Sequence, residues 1–200
     1  MTGSGFFILA RHIDSATIEK FDLTIIHLVQ GFETPVLTMI FKTFTTIGSG
    51  VGVTLITIGM CGVFYFLLKQ KHEAILLAIT VVSTIMLNEA LKQVYKRARP
   101  EIHRLMEIGG FSFPSGHTMM AFSLYGMLAY LLWHIVKLNK TRFLLAAIAA
   151  MIAFTIAISR IYVGVHFPSD IVGGILCSTF WVSTILLIDH VYCILKKRKV

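Results

Sequence analysis

Of the chain's 200 residues, 56% are hydrophobic and only 14% charged, against about 45–50% and about 25% for an ordinary soluble domain, which argues against a soluble globular fold. Lys and Arg number 18 against 10 Asp and Glu, a net charge of +8, and membrane topology has to absorb that excess before it can be read as a nucleic-acid footprint. The length suits one domain of modest size.

Residues 6–10 are apolar but too short to cross a membrane, and Asp14, Glu19, Lys20 and Asp22 follow at once. Residues 23–47 mix Ile25, Ile26, Leu28, Val29, Leu37, Met39, Ile40 and Phe41 with Gln30, Glu33 and Lys42. That pattern predicts an amphipathic helix lying on the membrane surface and then turning in, with Pro35 at the break. Gly48, Gly50 and Gly52 around Ser49 make a flexible start to the next helix, and no Gly-Lys-Ser/Thr follows as a phosphate loop would require. Five long apolar runs come next, at 51–68, 74–91, 118–136, 143–159 and 171–188, and only Asn88 and Glu89 interrupt the second. A helix needs about 17–25 apolar residues to cross roughly 30 Å of hydrocarbon. Backbone groups in lipid must be satisfied within the segment, so these runs predict helices. The expected fold is all-α: a polytopic membrane bundle of five to six transmembrane helices in one domain, residues 1–200. Residues 1–50 form its interfacial N-terminal segment and 51–200 its transmembrane core.

Cation positions set the expected orientation. Lys69 and Lys71, then Lys137, Lys140 and Arg142, then Lys196, Lys197, Arg198 and Lys199 fall on one side, which the positive-inside rule makes cytoplasmic, with the C-terminus there. The other side breaks the rule. Lys92, Lys96, Arg97, Arg99 and Arg104 crowd one outer loop and Arg160 opens the next. Cations kept there against topology point to an anionic ligand, and nucleic acid is not implied.

Pro100, Pro114 and Pro168 fall in the same two loops, which read as one site in two pieces. Lys92, Arg99 and Arg160 supply point and forked donors suited to a dianionic tetrahedral group. Ser115 and Gly116, after Pro114, add a hydroxyl and an open backbone N–H at a helix start. Pro168 suits a first helical turn, so Asp170 would reach back to His166 and fix its tautomer. His117 has no equivalent partner, and the asymmetry predicts different roles for the two histidines. Glu89 is spaced to pair with Lys92. Lys96 and Arg97 read either as head-group ligands or as solvated charge, and Tyr162 as an aromatic of the interfacial belt. His12, His27, His72, His103, His134 and His190 carry no motif. Cys61, Cys177 and Cys193 lack metal or disulfide spacing and read as buried apolar side chains.

Together, K-x6-RP at 92–100, PSGH at 114–117 and SR-x5-H-x3-D at 159–170 resemble, without a substitution, the three signature motifs of the type 2 phosphatidic acid phosphatase (PAP2) superfamily. The surrounding helices are similar to its small bacterial membrane members, of the phosphatidylglycerophosphate phosphatase B kind, with a PAP2/haloperoxidase-like core. Those relatives usually have six crossings, and a short or absent first crossing is where this chain departs. The resemblance implies a metal-independent phosphatase, without cofactor, that hydrolyses a membrane lipid phosphate such as phosphatidylglycerol phosphate through a phosphohistidine. His166 would attack phosphorus, Asp170 orient it and His117 protonate the leaving oxygen, while Lys92, Arg99, Ser115, Gly116 and Arg160 hold the phosphoryl oxygens. Undecaprenyl pyrophosphate is the alternative substrate; dedicated undecaprenyl pyrophosphatases often carry PSDH, so PSGH leans to the former. A non-catalytic anionic-lipid transporter or binding protein is a remote alternative that leaves the His166–Asp170 spacing without a purpose. The expected partners are the lipid substrate and the phospholipid bilayer, with no nucleic acid and no obligate protein partner. The site would face the extracytoplasmic side of the cell membrane.

Overall fold

Local sequence accounts for most helix boundaries. In the computed structural model, which describes residues 2–197, the chain forms α1 (Thr2–Arg11), α2 (Ala16–Gln30), α3 (Pro35–Ile47), α4 (Gly50–Gly62), α5 (Lys71–Tyr95), α6 (Gly116–Ile135), α7 (Asn139–Tyr162) and α8 (Pro168–Lys197). Ser15, Thr34, Ser49 and Ser115 are N-caps, each accepting from the backbone N–H three residues on, which satisfies donors that a helix start leaves free. Pro35 and Pro168 open α3 and α8, where a missing N–H costs nothing. A π-helical turn, Val63–Leu67, closes α4. Arg198 and Lys199 of the basic tail lie outside the described residues.

Among the described residues, five segments are long and apolar enough to cross a membrane: Gly50–Leu67, Lys71–Tyr95, Gly116–Ile135, Asn139–Tyr162 and Pro168–Lys196. They coincide with the five apolar runs and lengthen most of them. α2 and α3 meet at a 120° bend and together have the length and composition of one broken span, with the break before Pro35 as the sequence predicts. α1, too short to cross, packs along α8 and buries Phe6 and Ala10.

α6 stands at the centre, its Leu124 and Met127 packed with Leu77 and Val81 of α5 and Ile156 of α7. Lipid tails are as apolar as these side chains, so helix association rests on close packing and interhelical hydrogen bonds, each worth about 1 kcal/mol. Thr84 Oγ1 donates to Ser123 Oγ at 3.0 Å, joining α5 to α6, and Trp181 Nε1 donates to Ser83 Oγ at 2.9 Å, joining α8 to α5. Leu55, Ile58, Ile79, Met86, Met151 and Leu187 stay exposed on the outside, as a lipid-facing belt requires.

Successive spans reverse direction, so the α5–α6 and α7–α8 connections and the start of α4 gather at one end of the bundle. Lys96, in the left-handed region at φ +47°, ends α5 and turns the chain back over that end. The two connections are tied where Leu105 N donates to Val163 O at 3.0 Å. Gly164, at φ +73°, lies beneath this crossing, and a Cβ there would run into the His103 carbonyl oxygen. Tyr162 is 1% exposed and is no belt aromatic. It leaves the end of α7 pointing inward, and its hydroxyl meets Thr38 Oγ1 at 2.9 Å, which pins the α2–α3 corner. Gly164→Ala combines an unfavourable φ with that clash, so thermal unfolding in detergent should show a melting temperature lower by about 3 °C or more.

Candidate active site

The α7–α8 connection delivers His166. Asp170 follows one turn into α8 and faces back, with His166 Nδ1 3.2 Å from Asp170 Oδ2. Across the ring, Arg99 Nη1 lies 3.1 Å from Nε2. A guanidinium only donates, so Nε2 presents its lone pair to Arg99 and the proton resides on Nδ1, donated to Asp170. That is the tautomer a nitrogen nucleophile needs. Burial pushes the His166 pKa down to about 4, against the raising effect of the Asp170 hydrogen bond and charge, so the imidazole is neutral at pH 7.

Asp170, fully buried, is held from several directions. Its Oδ2 also accepts from Ser112 Oγ, and from Phe167 N at 2.9 Å. Its Oδ1 accepts from Arg97 Nη1 at 2.7 Å. Arg97 turns its other terminal nitrogen to Asp22 Oδ2 at 2.9 Å. Asp22, also fully buried, accepts from Ser169 N at 2.8 Å and Ser169 Oγ at 2.6 Å. Arg97 therefore bridges two buried carboxylates, one on α2 and one on α8, with its side chain 9% exposed and stacked over the Phe167 ring. Removing one partner of such a pair costs about 3–5 kcal/mol, because a charge is left buried and uncompensated.

The Nε2 side of His166 opens on a cavity of about 430 Å³ whose wall includes Lys92, Arg99, Gly116, His117 and Arg160. Arg160 reaches it from the end of α7. Its Nη1 donates to Thr45 Oγ1 at 2.8 Å, and Thr45 in turn meets Ser159 Oγ at 2.9 Å. The Arg160 Nε is buried without a hydrogen-bond partner among the described residues, and an unmatched donor beside a cavity suits a ligand oxygen. Lys92 Nζ stands 3.9 Å from Glu89 Oε1, the pairing expected from their spacing. A Cβ on Gly116 would stand 2.7 Å from Asn88 Oδ1, so the glycine lets α5 and α6 close at the cavity. A wider recess of about 800 Å³ along α3, from Glu33 to Thr46, holds no histidine and one cation, Lys42.

Of the residues picked out by sequence, Lys92, Arg99, Gly116, His117, Arg160 and His166 share one cavity wall. Asp170 stands behind His166. The Ser115 side chain is fully buried and is turned to Thr118, capping α6, while its backbone N donates to Asp170 O at 3.2 Å. Arg97 is neither a head-group ligand nor a solvated charge, because Asp22 and Asp170 draw it inward. Sequence reasoning missed Asp22, Ser112 and Thr45 altogether. Only Asp22 left a signal: it lies four residues before buried Ile26, on the helix face that packs inward.

Residues 73–192 match the PAP2 superfamily, and the chain belongs to that superfamily. It is 33% identical to phosphatidylglycerophosphatase B of Bacillus subtilis, over 84% of this chain and 83% of that protein. Its fold matches the crystal structure of a transmembrane PAP2 type phosphatidylglycerolphosphate phosphatase from Bacillus subtilis, with a TM-score of 0.87 and 28% identity over 94% of each chain. A putative undecaprenyl-diphosphatase of Escherichia coli is 30% identical over 55% of this chain and 54% of its own. The helical membrane architecture expected from the sequence is thus the one observed.

Arg97→Ala should lower the melting temperature by roughly 6–20 °C, taking about 3–5 kcal/mol at about 2–4 °C each. Arg97→Lys keeps the charge but loses the fork, and thermal unfolding should place it between wild type and Arg97→Ala.

Proposed function

We propose that this membrane phosphatase hydrolyses the phosphate monoester of a lipid phosphate, phosphatidylglycerol phosphate first among them, through a phosphohistidine on His166. The observation that carries this reading is the neutral His166, protonated on Nδ1, with Nε2 turned to a cationic cavity. Its lone pair attacks phosphorus and the bond from phosphorus to the lipid oxygen breaks. His117 gives its proton to that oxygen. The Nδ1 proton stays on the bond to Asp170, whose charge stabilises the imidazolium formed. His117, now neutral, takes a proton from water; the hydroxide attacks phosphorus, phosphate leaves and His166 returns to its neutral form.

Arg99 moves its Nη1 from Nε2 to a phosphoryl oxygen, and Lys92 and Arg160 balance the remaining charge. Ser115 caps the start of α6 and Gly116 opens it to the cavity, where backbone N–H groups and the helix dipole favour an anion. The wall carries three cations and one carboxylate, Glu89, a donor set for an anion rather than for a metal ion, which supports metal-independent hydrolysis. The lipid-facing belt and the named activity of the Bacillus relative support a substrate resident in the bilayer. The cation excess at the opposite end, Lys69, Lys71, Lys137 and Lys140, supports an extracytoplasmic site with a cytoplasmic C-terminus. Undecaprenyl pyrophosphate is the second reading, favoured by the Escherichia coli relative. A transporter or binding protein would have no use for a nucleophilic tautomer.

Phosphate release from phosphatidylglycerol phosphate and from undecaprenyl pyrophosphate in detergent, with EDTA, tests the proposal. Wild type should release phosphate and His166→Ala should not, and the better lipid decides between the readings. Loss of wild-type release on adding EDTA would contradict metal-independent hydrolysis. Asp170→Asn should lower kcat by about 10²–10⁴-fold. The competent form of His166 is neutral, so kcat/KM should fall as pH drops through about 4. An acid limb near 6.5, the ordinary histidine value, would contradict the buried neutral nucleophile. His117 must be protonated once the substrate's charge offsets the cavity's cations, so the profile of kcat should carry a second, alkaline limb and be bell-shaped.

A further inference from the structure

At the far end of the bundle, three metal-ligand side chains converge. His72 is the second residue of α5, and Asp189 and Cys193 lie one turn apart near the end of α8. About twenty residues separate His72 from Lys92 and Asp189 from Asp170, so at about 1.5 Å per residue the cluster stands roughly 30 Å from the catalytic cavity. His72 Nε2 is 2.9 Å from Asp189 Oδ1, and one ligand atom from each of His72, Asp189 and Cys193 lies within 4.8 Å of the other two. A hydrogen bond or ion pair accounts for His72 with Asp189. It does not account for a free, half-buried thiol brought to the same point from the next turn.

We propose that His72, Asp189 and Cys193 bind a divalent zinc-type metal ion that ties the start of α5 to the end of α8. Imidazole nitrogen, carboxylate oxygen and thiolate sulfur are zinc's ordinary donors. The i,i+4 spacing of Asp189 and Cys193 puts two of them on one helix face, and His72 supplies the third from the neighbouring helix. A recess of about 200 Å³ beside them, lined by His72, Glu73, His134 and Asp189, leaves room for a water as fourth ligand. Binding displaces the Cys193 thiol proton to solvent, and thiolate and carboxylate then balance the two charges of the ion. Lys71, the adjacent cation, is engaged over the Tyr65 ring at 5.1 Å. The ion would join the far ends of the two helices that carry Lys92 and Asp170. It takes no part in the chemistry, so turnover in EDTA and occupancy of this site are separate questions.

Cobalt(II), which reports its ligands by absorption, is the probe. Full-length protein in detergent, stripped with EDTA and then freed of it, should develop a near-ultraviolet thiolate-to-cobalt band and tetrahedral visible bands at one ion per chain. Zinc should displace them, and Cys193→Ser and His72→Ala should abolish them. Zinc at about a hundredfold above its Kd should raise the wild-type melting temperature by roughly 5–10 °C, and leave both variants unmoved. Absence of the thiolate band in wild type would overturn the proposal, and so would a band that survives Cys193→Ser.

Discussion

A fully buried carboxylate at one end of a membrane bundle governs everything around it. Asp170 is shut off from bulk solvent, and an unpaired ionised group in such a place is strongly destabilising. The chain surrounds it with Arg97, Ser112, the Phe167 N–H and the His166 ring. Each of these sets a requirement on the fold. The α5–α6 connection must return over the bundle to bring Arg97 and Ser112. α2 must pack against it to bring Asp22, which takes the other half of the Arg97 fork. The tautomer of His166 is the chemical product of that arrangement, with Arg99 completing it on the opposite nitrogen.

The same logic explains why cations crowd the loops at this end of the bundle. Arg99, Lys92 and Arg160 surround the cavity, and Arg97 is internal. Arg104 is turned to the carbonyl oxygens of Pro100 and Arg99, bracing the loop that carries Arg99. Only Lys96 among the six is exposed without a described partner, and its task is conformational, ending α5 in a left-handed turn. Cations at this end are held by the site, and the bundle beneath them is held by apolar packing and a few hydroxyl bridges. The Thr45–Ser159 bridge belongs to both, since it also carries Arg160.

What the sequence revealed follows the range of the forces involved. The five spans were legible because lipid imposes length and apolarity on each segment independently. His166 and Asp170 were legible because one turn of one helix joins them. The α2–α3 bend showed itself in Pro35, though its angle depends on Tyr162, which is 128 residues from Thr34. Arg97, Asp22 and Ser112 were not legible as a unit, because their contacts span 58 to 75 residues and only folding brings them together. Tyr162 was misread for a related reason: aromatic residues at membrane depth favour the interface, and its inward direction is set by α3. Ser115 was read as a phosphate ligand; its hydroxyl is buried and caps α6.

The central claim is that His166 Nε2 is the atom that receives phosphorus. The most direct test is rapid alkaline quench of turnover on a radiolabelled lipid phosphate, which spares phosphohistidine, followed by peptide mapping in wild type and His117→Asn. The account predicts one phosphoryl group on the peptide containing His166, accumulating in His117→Asn on a substrate with a good leaving group. A label on His117, or no labelled protein despite phosphate release, would contradict it.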